Sequence, residues 1–137
     1  MKSLAIIATR GSTNALASVC TMAMAAAVSD IPVRIFFRDE AVLKLSKQHV
    51  KGVTLSEAFR GLETTVTKNL QTANLADLQA VLREVKAQGD VKLYACTSSM
   101  AIAGVAPADL IPEIDEPRGL TSFLLEEMSE ADAVLTF

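Results

Sequence analysis

The fold is decided by residues 4–38, which read LAIIATRGSTNALASVCTMAMAAAVSDIPVRIFFR. The apolar run from Leu4 to Thr9 is typical of a strand that is buried on both faces. Residues 15–28 contain neither Gly nor Pro and are rich in Ala, Met, Leu and Val, which predicts an apolar helix. A second strand opens after Pro32. Strand, helix and strand in about 35 residues form a βαβ unit, which requires parallel pairing and a right-handed crossover.

The rest of the chain repeats this alternation. Further helices are predicted at residues 74–89, 100–103 and 120–129, and further extended segments at residues 91–95, 111–118 and 131–137. The pattern therefore predicts an α/β sandwich with a mainly parallel sheet of roughly five strands.

The stretch from residue 39 to residue 72 is the weakest part of this pattern. Residues 39–48 predict one helix and residues 55–62 a shorter amphipathic piece, with Gly52 and Gly61 as interruptions. A lid, an oligomer contact and a mobile loop are all open for this segment.

Composition limits the class of protein. Of the 137 residues, 50% are hydrophobic and 21% charged, which excludes a disordered chain. A chain of this length buries roughly two-thirds of its unfolded surface, so we expect residues 1–137 to form one domain without disulfides or metals. Alanine accounts for 21 residues and aromatic residues for only 4%, so helices and sheet should approach each other closely.

Charge and apolar content exclude several partners. The formal charge is -3 and no basic stripe occurs, which argues against binding to nucleic acid. The longest uncharged stretch, residues 11–29, is interrupted by hydroxyl and amide side chains, so we expect no membrane span and a cytoplasmic protein. Two cysteines and one histidine are too few for a metal site, and no cofactor is expected.

Candidate functional residues follow the predicted strands, because ligands of parallel sheets bind beyond the carboxyl ends of the strands. The residues at these ends are Arg10, Gly11 and Ser12 after the first strand, Arg38 after the second, and Cys96, Thr97, Ser98 and Ser99 after the third. We therefore expect two arginines, hydroxyl groups and a cysteine to lie at one edge of the sheet.

Cys96 is the candidate for covalent chemistry. A cysteine between a strand and a helix lies close to backbone N–H groups, which lower a thiol pKa and favour a nucleophile or sulfur carrier. The alternative, a small apolar residue packed at a strand end, stays open. Cys20 lies in the apolar helix and is predicted to be part of the core.

The basic residues also have two interpretations. The segment from Arg10 to Ser12 can bind an anion through its backbone N–H groups, or can simply form the turn between strand and helix. Arg38 can bind the same anion or pair locally with Asp39 and Glu40. His49 lies between lysines and is predicted to be a surface residue.

Several of these segments resemble the DsrE/DsrF-like superfamily. The similarity covers nearly the whole chain and includes residues 5–12, the Ala-rich helix and residues 34–37, but it is most specific in residues 91–105, VKLYACTSSMAIAGV. It implies a three-layer sandwich of flavodoxin-like topology, in which several members carry a persulfide or thiosulfonate on the cysteine that corresponds to Cys96. Members are commonly trimers or hexamers.

The sequence is most similar to the DsrE-like proteins that accompany TusA and rhodaneses in sulfur-oxidising prokaryotes. This resemblance implies that Cys96 accepts a sulfane sulfur or thiosulfonate group and passes it to a partner thiol, as a carrier rather than a multi-turnover enzyme. Arg10, Arg38 and the N–H groups near Ser98 would hold the oxyanion, and Cys20 is the candidate for a second thiol.

Two other functions remain open at this point. The same edge of the sheet can hold a small anion or nucleotide in a non-catalytic regulatory subunit. The two cysteines can also act as a redox-sensing pair, which requires Cα atoms within about 7 Å of each other.

Overall fold

The computed structural model describes residues 1–137, and a sheet of five strands lies at its centre. The strands are β1 (Leu4–Ala8), β2 (Val33–Phe37), β3 (Val91–Cys96), β4 (Glu116–Arg118) and β5 (Ala133–Thr136). Their order across the sheet is β4-β3-β2-β1-β5, and every neighbouring pair is parallel. The prediction of a parallel α/β fold is confirmed.

Six α-helices connect or flank the strands. They are α1 (Thr13–Ala27), α2 (Glu40–Lys44), α3 (Glu63–Thr72), α4 (Leu78–Gln88), α5 (Thr97–Ala103) and α6 (Leu120–Phe123). Residues Leu124–Met128 continue α6 in π-helical geometry, and short 3-10 turns occur at Glu57–Phe59 and Pro107–Asp109. None of these helices combines the length and the apolar character that a membrane crossing requires.

The order of the strands in the sheet determines which face each helix covers. The chain crosses the sheet from β1 to β4, then returns and adds β5 on the far side of β1. Because parallel crossovers are right-handed, this reversal places α6 on the opposite face from α1 and α4. A core cluster of 29 buried residues joins α1 and α4 to the first face, whereas only five buried residues form the cluster on the second.

The five residues of the second-face cluster are Ala5, Phe36, Tyr94, Cys96 and Phe123. The four strand residues share one face because side chains alternate along a strand. Phe123 of α6 stacks on Phe36, with ring centroids 4.6 Å apart, and meets Tyr94 edge to face at 5.9 Å. These aromatic contacts anchor α6 to the sheet.

A charge network fixes the π-helical segment beside this cluster. Glu127 accepts hydrogen bonds from the Tyr94 hydroxyl at 3.1 Å and from Nη1 of Arg118 at 2.7 Å. Its other oxygen lies 3.5 Å from Nε of Arg34, and the Arg118 guanidinium lies 4.1 Å from the Tyr94 ring centroid. Burial and the Glu127 carboxylate raise the pKa of Tyr94, so its hydroxyl keeps the proton that it donates.

The segment from residue 39 to residue 72 differs most from expectation. Of the helix predicted at residues 39–48 only α2 forms, because Asp39 has a φ of 51° and cannot be helical, and Leu45 leaves helical geometry with a ψ of 16°. The piece predicted at residues 55–62 is a single 3-10 turn. Helix α3 was not predicted, and none of its residues is buried, so it carries no apolar stripe that the sequence could reveal.

Other helix boundaries shift by a few residues. The helix expected to begin at residue 74 begins at Leu78, because Asn74 has a φ of 58° and Asp77 is the N-cap, accepting from the N–H of Ala80 at 3.1 Å. Helix α5 begins directly after Cys96, three residues earlier than predicted. The strand and the helix therefore meet at the cysteine itself.

Candidate functional site

Cys96 lies where β3 meets α5. It is the last residue of the strand and the N-cap of the helix, and its side chain belongs to the second-face cluster. Its exposed fraction is 0%. The thiol is therefore shielded from solvent in the isolated chain, whereas the implied sulfur chemistry requires an accessible one.

Four hydrogen-bond donors near Cys96 act on the pKa of its thiol. Burial raises the pKa of this thiol, but the donors outweigh burial: the N–H and the hydroxyl of Ser99, the N–H of Ser98 and the Arg38 guanidinium. The net effect holds the pKa of Cys96 below its ordinary value, because each donor stabilises the thiolate and not the neutral thiol. A lowered pKa increases the thiolate fraction at neutral pH, and the thiolate is the nucleophilic form.

Ser99 connects Cys96 to the end of β2. Its hydroxyl is buried and accepts a hydrogen bond from the N–H of Asp39 at 2.8 Å, which leaves its own proton to donate to the sulfur. Asp39 adopts a φ of 51°, a conformation that costs about 1–3 kcal/mol in a residue other than glycine. The Ser99 hydroxyl therefore binds the N–H of the strained Asp39 and also lowers the pKa of Cys96.

Arg38 reaches Cys96 because of the strand register. Phe37 pairs with Ala95, so the residues that follow them, Arg38 and Cys96, are neighbours on adjacent strands. Nε of Arg38 is buried and has no hydrogen-bond partner in the chain. A buried donor without a partner is costly, so this N–H is available to an anionic group that arrives at the sulfur.

Replacing Ser99 with alanine tests the role of its hydroxyl. A hydrogen bond to a charged group contributes about 1.5–3 kcal/mol, so its loss raises the pKa of Cys96 and slows alkylation by iodoacetamide at pH 7 by about tenfold or more. The rate is measured by mass spectrometry. Ser98→Ala is the matched control, because Ser98 contributes only its backbone N–H. Equal alkylation of the two variants would contradict this assignment.

The other predicted residues lie elsewhere. Arg10, Gly11 and Ser12 line a separate cleft of about 620 Å³, which Cys96 does not line. Phe37 also pairs with Ala8, so the strand register places Arg38 beside Thr9 rather than Arg10. The structure thus divides the predicted site into two groups: Arg38, Ser98 and Ser99 around Cys96, and Arg10, Gly11 and Ser12 in the cleft. Thr97 is exposed.

Gly11 and Ser12 have clear local roles. A Cβ at Gly11 would lie 2.8 Å from the Cβ of Glu40, so only glycine allows this approach to α2. The Gly11 N–H also donates to Oε2 of Glu40 at 3.3 Å. Ser12 is the N-cap of α1, and its hydroxyl accepts from the N–H of Ala15 at 3.3 Å.

Cys20 is separated from Cys96 by the sheet. It lies in α1 with an exposed fraction of 2% and belongs to the core cluster of the first face. Burial raises the pKa of Cys20 to about 12, so its thiol is protonated at neutral pH. Both cysteines are free, and the structure does not bring them together as a redox pair. No group of three or more His, Cys, Asp or Glu side chains is placed to hold a metal ion.

The aromatic part of the site was not predicted from the sequence. Tyr94 lies two residues before Cys96, so strand alternation alone could have placed it on the same face. Phe36 could have been found in the same way once the register of β2 was known. Nothing in the sequence indicates that Phe123, from a distant helix, joins them.

The fold and the site define a parallel α/β protein with a cysteine of lowered pKa at the carboxyl end of a central strand. The sequence model of the DsrE/DsrF-like family matches residues 2–137, and the chain belongs to this family. The resemblance found in the sequence is therefore confirmed, and family membership indicates a role related to sulfur transfer.

Comparison with solved structures supports the fold. One similar structure is that of a protein of unknown function, MTH1491, from Methanobacterium thermoautotrophicum, with a TM-score of 0.61 and 10% sequence identity. The similarity covers 98% of this chain and 99% of that one. No curated protein matches the sequence.

Proposed function

We propose that the protein is a sulfur carrier or sulfurtransferase that loads Cys96 with a sulfane sulfur or thiosulfonate group and passes it to the thiol of a partner protein. The observation that carries the proposal is the set of donors that converge on the Cys96 sulfur and lower its pKa. Membership of the DsrE/DsrF-like family supports the same chemistry.

The loading step balances with tetrathionate as the donor. The Cys96 thiolate attacks one of the two central sulfur atoms, a bond forms between this atom and Sγ, and the central S–S bond breaks. Thiosulfate leaves with the electron pair of that bond, and Cys96 carries a thiosulfonate group. A partner thiolate then attacks the sulfur next to Sγ, takes the group and releases the Cys96 thiolate.

The residues around Cys96 have distinct roles in this scheme. Ser98 and Ser99 hold the thiolate before attack and again when it departs as leaving group. The unpartnered Nε of Arg38 donates to a sulfonate oxygen of the bound group. The aromatic rings of the second-face cluster keep water from the S–S bond.

The buried position of Cys96 requires an opening step. Helix α6 is the only helix with a buried residue in the second-face cluster, and Phe123 with the Glu127 network holds it on the sheet. Displacement of α6 by a sulfur donor or acceptor of the TusA or rhodanese kind would expose the thiol to the partner's sulfur. Transfer between proteins would then require docking, in the cytoplasm, where thiols stay reduced, whereas a small reagent such as tetrathionate would reach Cys96 through spontaneous opening of α6.

Assembly into a trimer or hexamer is part of this proposal. Three exposed leucines, Leu120, Leu124 and Leu125, lie on α6 and the π-helical segment and offer an apolar contact surface. Sedimentation at micromolar concentration measures the assembly, and a monomer would argue against it.

Incubation with tetrathionate tests the function. The intact wild-type protein should gain one thiosulfonate group, and peptide mapping should place it on Cys96, because the other cysteine is a protonated core thiol. Dithiothreitol should restore the original mass. Cys20→Ser should load like the wild type, whereas Cys96→Ser should not load. An unmodified wild type, or equal loading of Cys96→Ser, would overturn the proposal.

Transfer is measured in a second step. Loaded protein, freed of tetrathionate, is mixed with a purified TusA-like carrier, and the masses of both proteins are followed. The group should disappear from Cys96 as it appears on the carrier. Release of the group into solution with an unmodified carrier would show that this carrier is not an acceptor.

A further inference from the structure

The cleft of about 620 Å³ lies beyond the carboxyl end of β1, and Cys96 is not among the residues that line it. Its walls are the start of α1, helix α2 and residues 48–57. Small-molecule sites in proteins typically have volumes of about 300–1,000 Å³. The cleft therefore has the size of a metabolite site, and sulfur transfer at Cys96 makes no use of it.

Hydrogen bonds hold one wall of the cleft in place. The Thr13 N–H donates to the Thr54 carbonyl at 2.7 Å, and the Thr54 N–H returns a bond to the Thr13 hydroxyl at 2.9 Å. The Asn14 side chain forms two bonds with Ser56, of 3.0 and 3.1 Å. The wall is thus tied to the first turn of α1 before any ligand binds, which lowers the cost of ordering a site.

Lys44 is a buried cation on the floor of this cleft. Its exposed fraction is 5%, and its ammonium group donates to the carbonyl of Gly52, which leaves two donors unused. Burial lowers the pKa of Lys44. None of the ion pairs of the chain includes it. A buried ammonium without a counter-charge is costly, so an anion at this point would relieve it.

A second cation lines the cleft without a partner. The Arg10 side chain forms no hydrogen bond and no ion pair, and it is exposed. Of the two carboxylates that also line the cleft, Glu57 pairs with Arg60 at 2.6 Å and Glu40 accepts the N–H of Gly11. Glu40 has no ion pair, so Arg10 and Lys44 face one unpaired carboxylate, and the cleft carries an excess of one positive charge in a protein whose net charge is -3.

His49 adds a polar group of known orientation. The Ser46 hydroxyl donates its proton to the Leu43 carbonyl at 2.7 Å, so in its 3.0 Å contact with Nδ1 of His49 it is the acceptor. With the Ser46 proton assigned to the Leu43 carbonyl, Nδ1 carries the proton of a neutral ring and Nε2 is the nitrogen left to a ligand. Two leucines, Leu43 and Leu55, supply the apolar part of the lining.

We propose that this cleft binds a small organic anion, with an oxyanion group between Lys44 and Arg10 and an apolar portion against Leu43 and Leu55. A carboxylate, a phosphate or a sulfonate supplies this group, and the volume of the cleft calls for an organic body rather than an inorganic ion alone. The site goes beyond the proposed function, because neither Cys96 nor Arg38 takes part in it.

Phenyl phosphate and benzoate are the probes, since each joins an oxyanion to an apolar ring, and phenol is the uncharged counterpart. The full chain is titrated by calorimetry and by thermal unfolding. At least one of the two anions should bind saturably and raise Tm, whereas phenol should not. Inorganic phosphate should bind more weakly than phenyl phosphate, because it lacks the apolar portion.

Variants assign the binding to the cleft. Arg10→Gln alters an exposed residue and is expected to fold, and it should weaken binding by about tenfold, the effect of roughly 1.4 kcal/mol. Lys44→Met should weaken it by at least as much. Lys68→Met, which removes the same charge from exposed α3, and Cys96→Ser should bind like the wild type. No saturable binding of either anion, or equal binding by Arg10→Gln and the wild type, would overturn the proposal.

Discussion

Replacement of Phe123 by alanine is expected to lower the free energy of unfolding by about 3–5 kcal/mol, the range for a buried phenylalanine in a packed core. Its ring is fully buried and stacks on Phe36 while it meets the edge of Tyr94. No other buried residue of α6 could replace these contacts, since Phe123 is the only one. Denaturant unfolding measures the loss.

The same variant tests how Cys96 is covered. If α6 closes the second-face cluster, Phe123→Ala should speed the alkylation of Cys96 by at least tenfold under native conditions, because α6 opens more often. Thr121→Ala is the control, since its side chain in α6 is exposed and its loss should change stability by less than about 0.5 kcal/mol. If Phe123→Ala is destabilised but its Cys96 is alkylated at an unchanged rate, a segment other than α6 shields the thiol.

Alkaline pH should destabilise the protein through Cys20. The pKa of this thiol rises from 9.0 to about 12 on folding, because the thiolate cannot be solvated in the core. The raised pKa contributes stability that is fully present below pH 9.0 and is lost as the pH rises towards about 12. At about 1.4 kcal/mol per pH unit, the loss approaches 4 kcal/mol across this window.

The experiment compares the wild type with Cys20→Ala at pH 8 and pH 11. At pH 8 the variant should be less stable, because it leaves a small cavity beside α1. At pH 11 the free energy of unfolding of the wild type should have fallen by about 3 kcal/mol, a loss that the variant does not share. The difference in stability between the two proteins should therefore vanish or reverse. Cys96→Ala should not gain stability relative to the wild type between pH 8 and pH 11, because folding lowers the pKa of Cys96 and does not raise it. A constant difference between wild type and Cys20→Ala at both values would contradict the role of Cys20.

The central strands and α1 could be predicted because their chemistry is local. The run from Leu4 to Ala8 is apolar throughout, and a helix with as much alanine as α1 has few alternatives. The apolar side chains that favour each of these elements also lead to its burial on both faces. The parallel arrangement then follows from chain connectivity.

The division of the site into two could not be predicted, because it depends on strand register. Arg10 and Arg38 both follow a strand by one or two positions, and in the sequence they look equivalent. The register places Arg38 next to Cys96 and leaves Arg10 beyond the end of β1. A shift of one residue in the pairing register would move each side chain of a strand to the opposite face of the sheet. Neither strand sequence indicates which register is adopted.

The cleft residues and α3 were hidden for another reason. Lys44 lies in the part of the chain with the weakest sequence pattern, and its burial results from the fold of residues 48–57 over α2. Helix α3 has no buried residue, so its position is set by its neighbours and not by an amphipathic pattern. Both features are tertiary in origin.

The complete cover over Cys96 also bears on oxidative damage. A thiolate of lowered pKa is the form that peroxides convert to sulfenic acid and then, irreversibly, to sulfinic and sulfonic acids. In the closed chain no surface of Cys96 is exposed, so these small oxidants reach it only while α6 is open. The aromatic residues of α6 and the sheet thus limit the oxidation that the lowered pKa of this cysteine would otherwise favour.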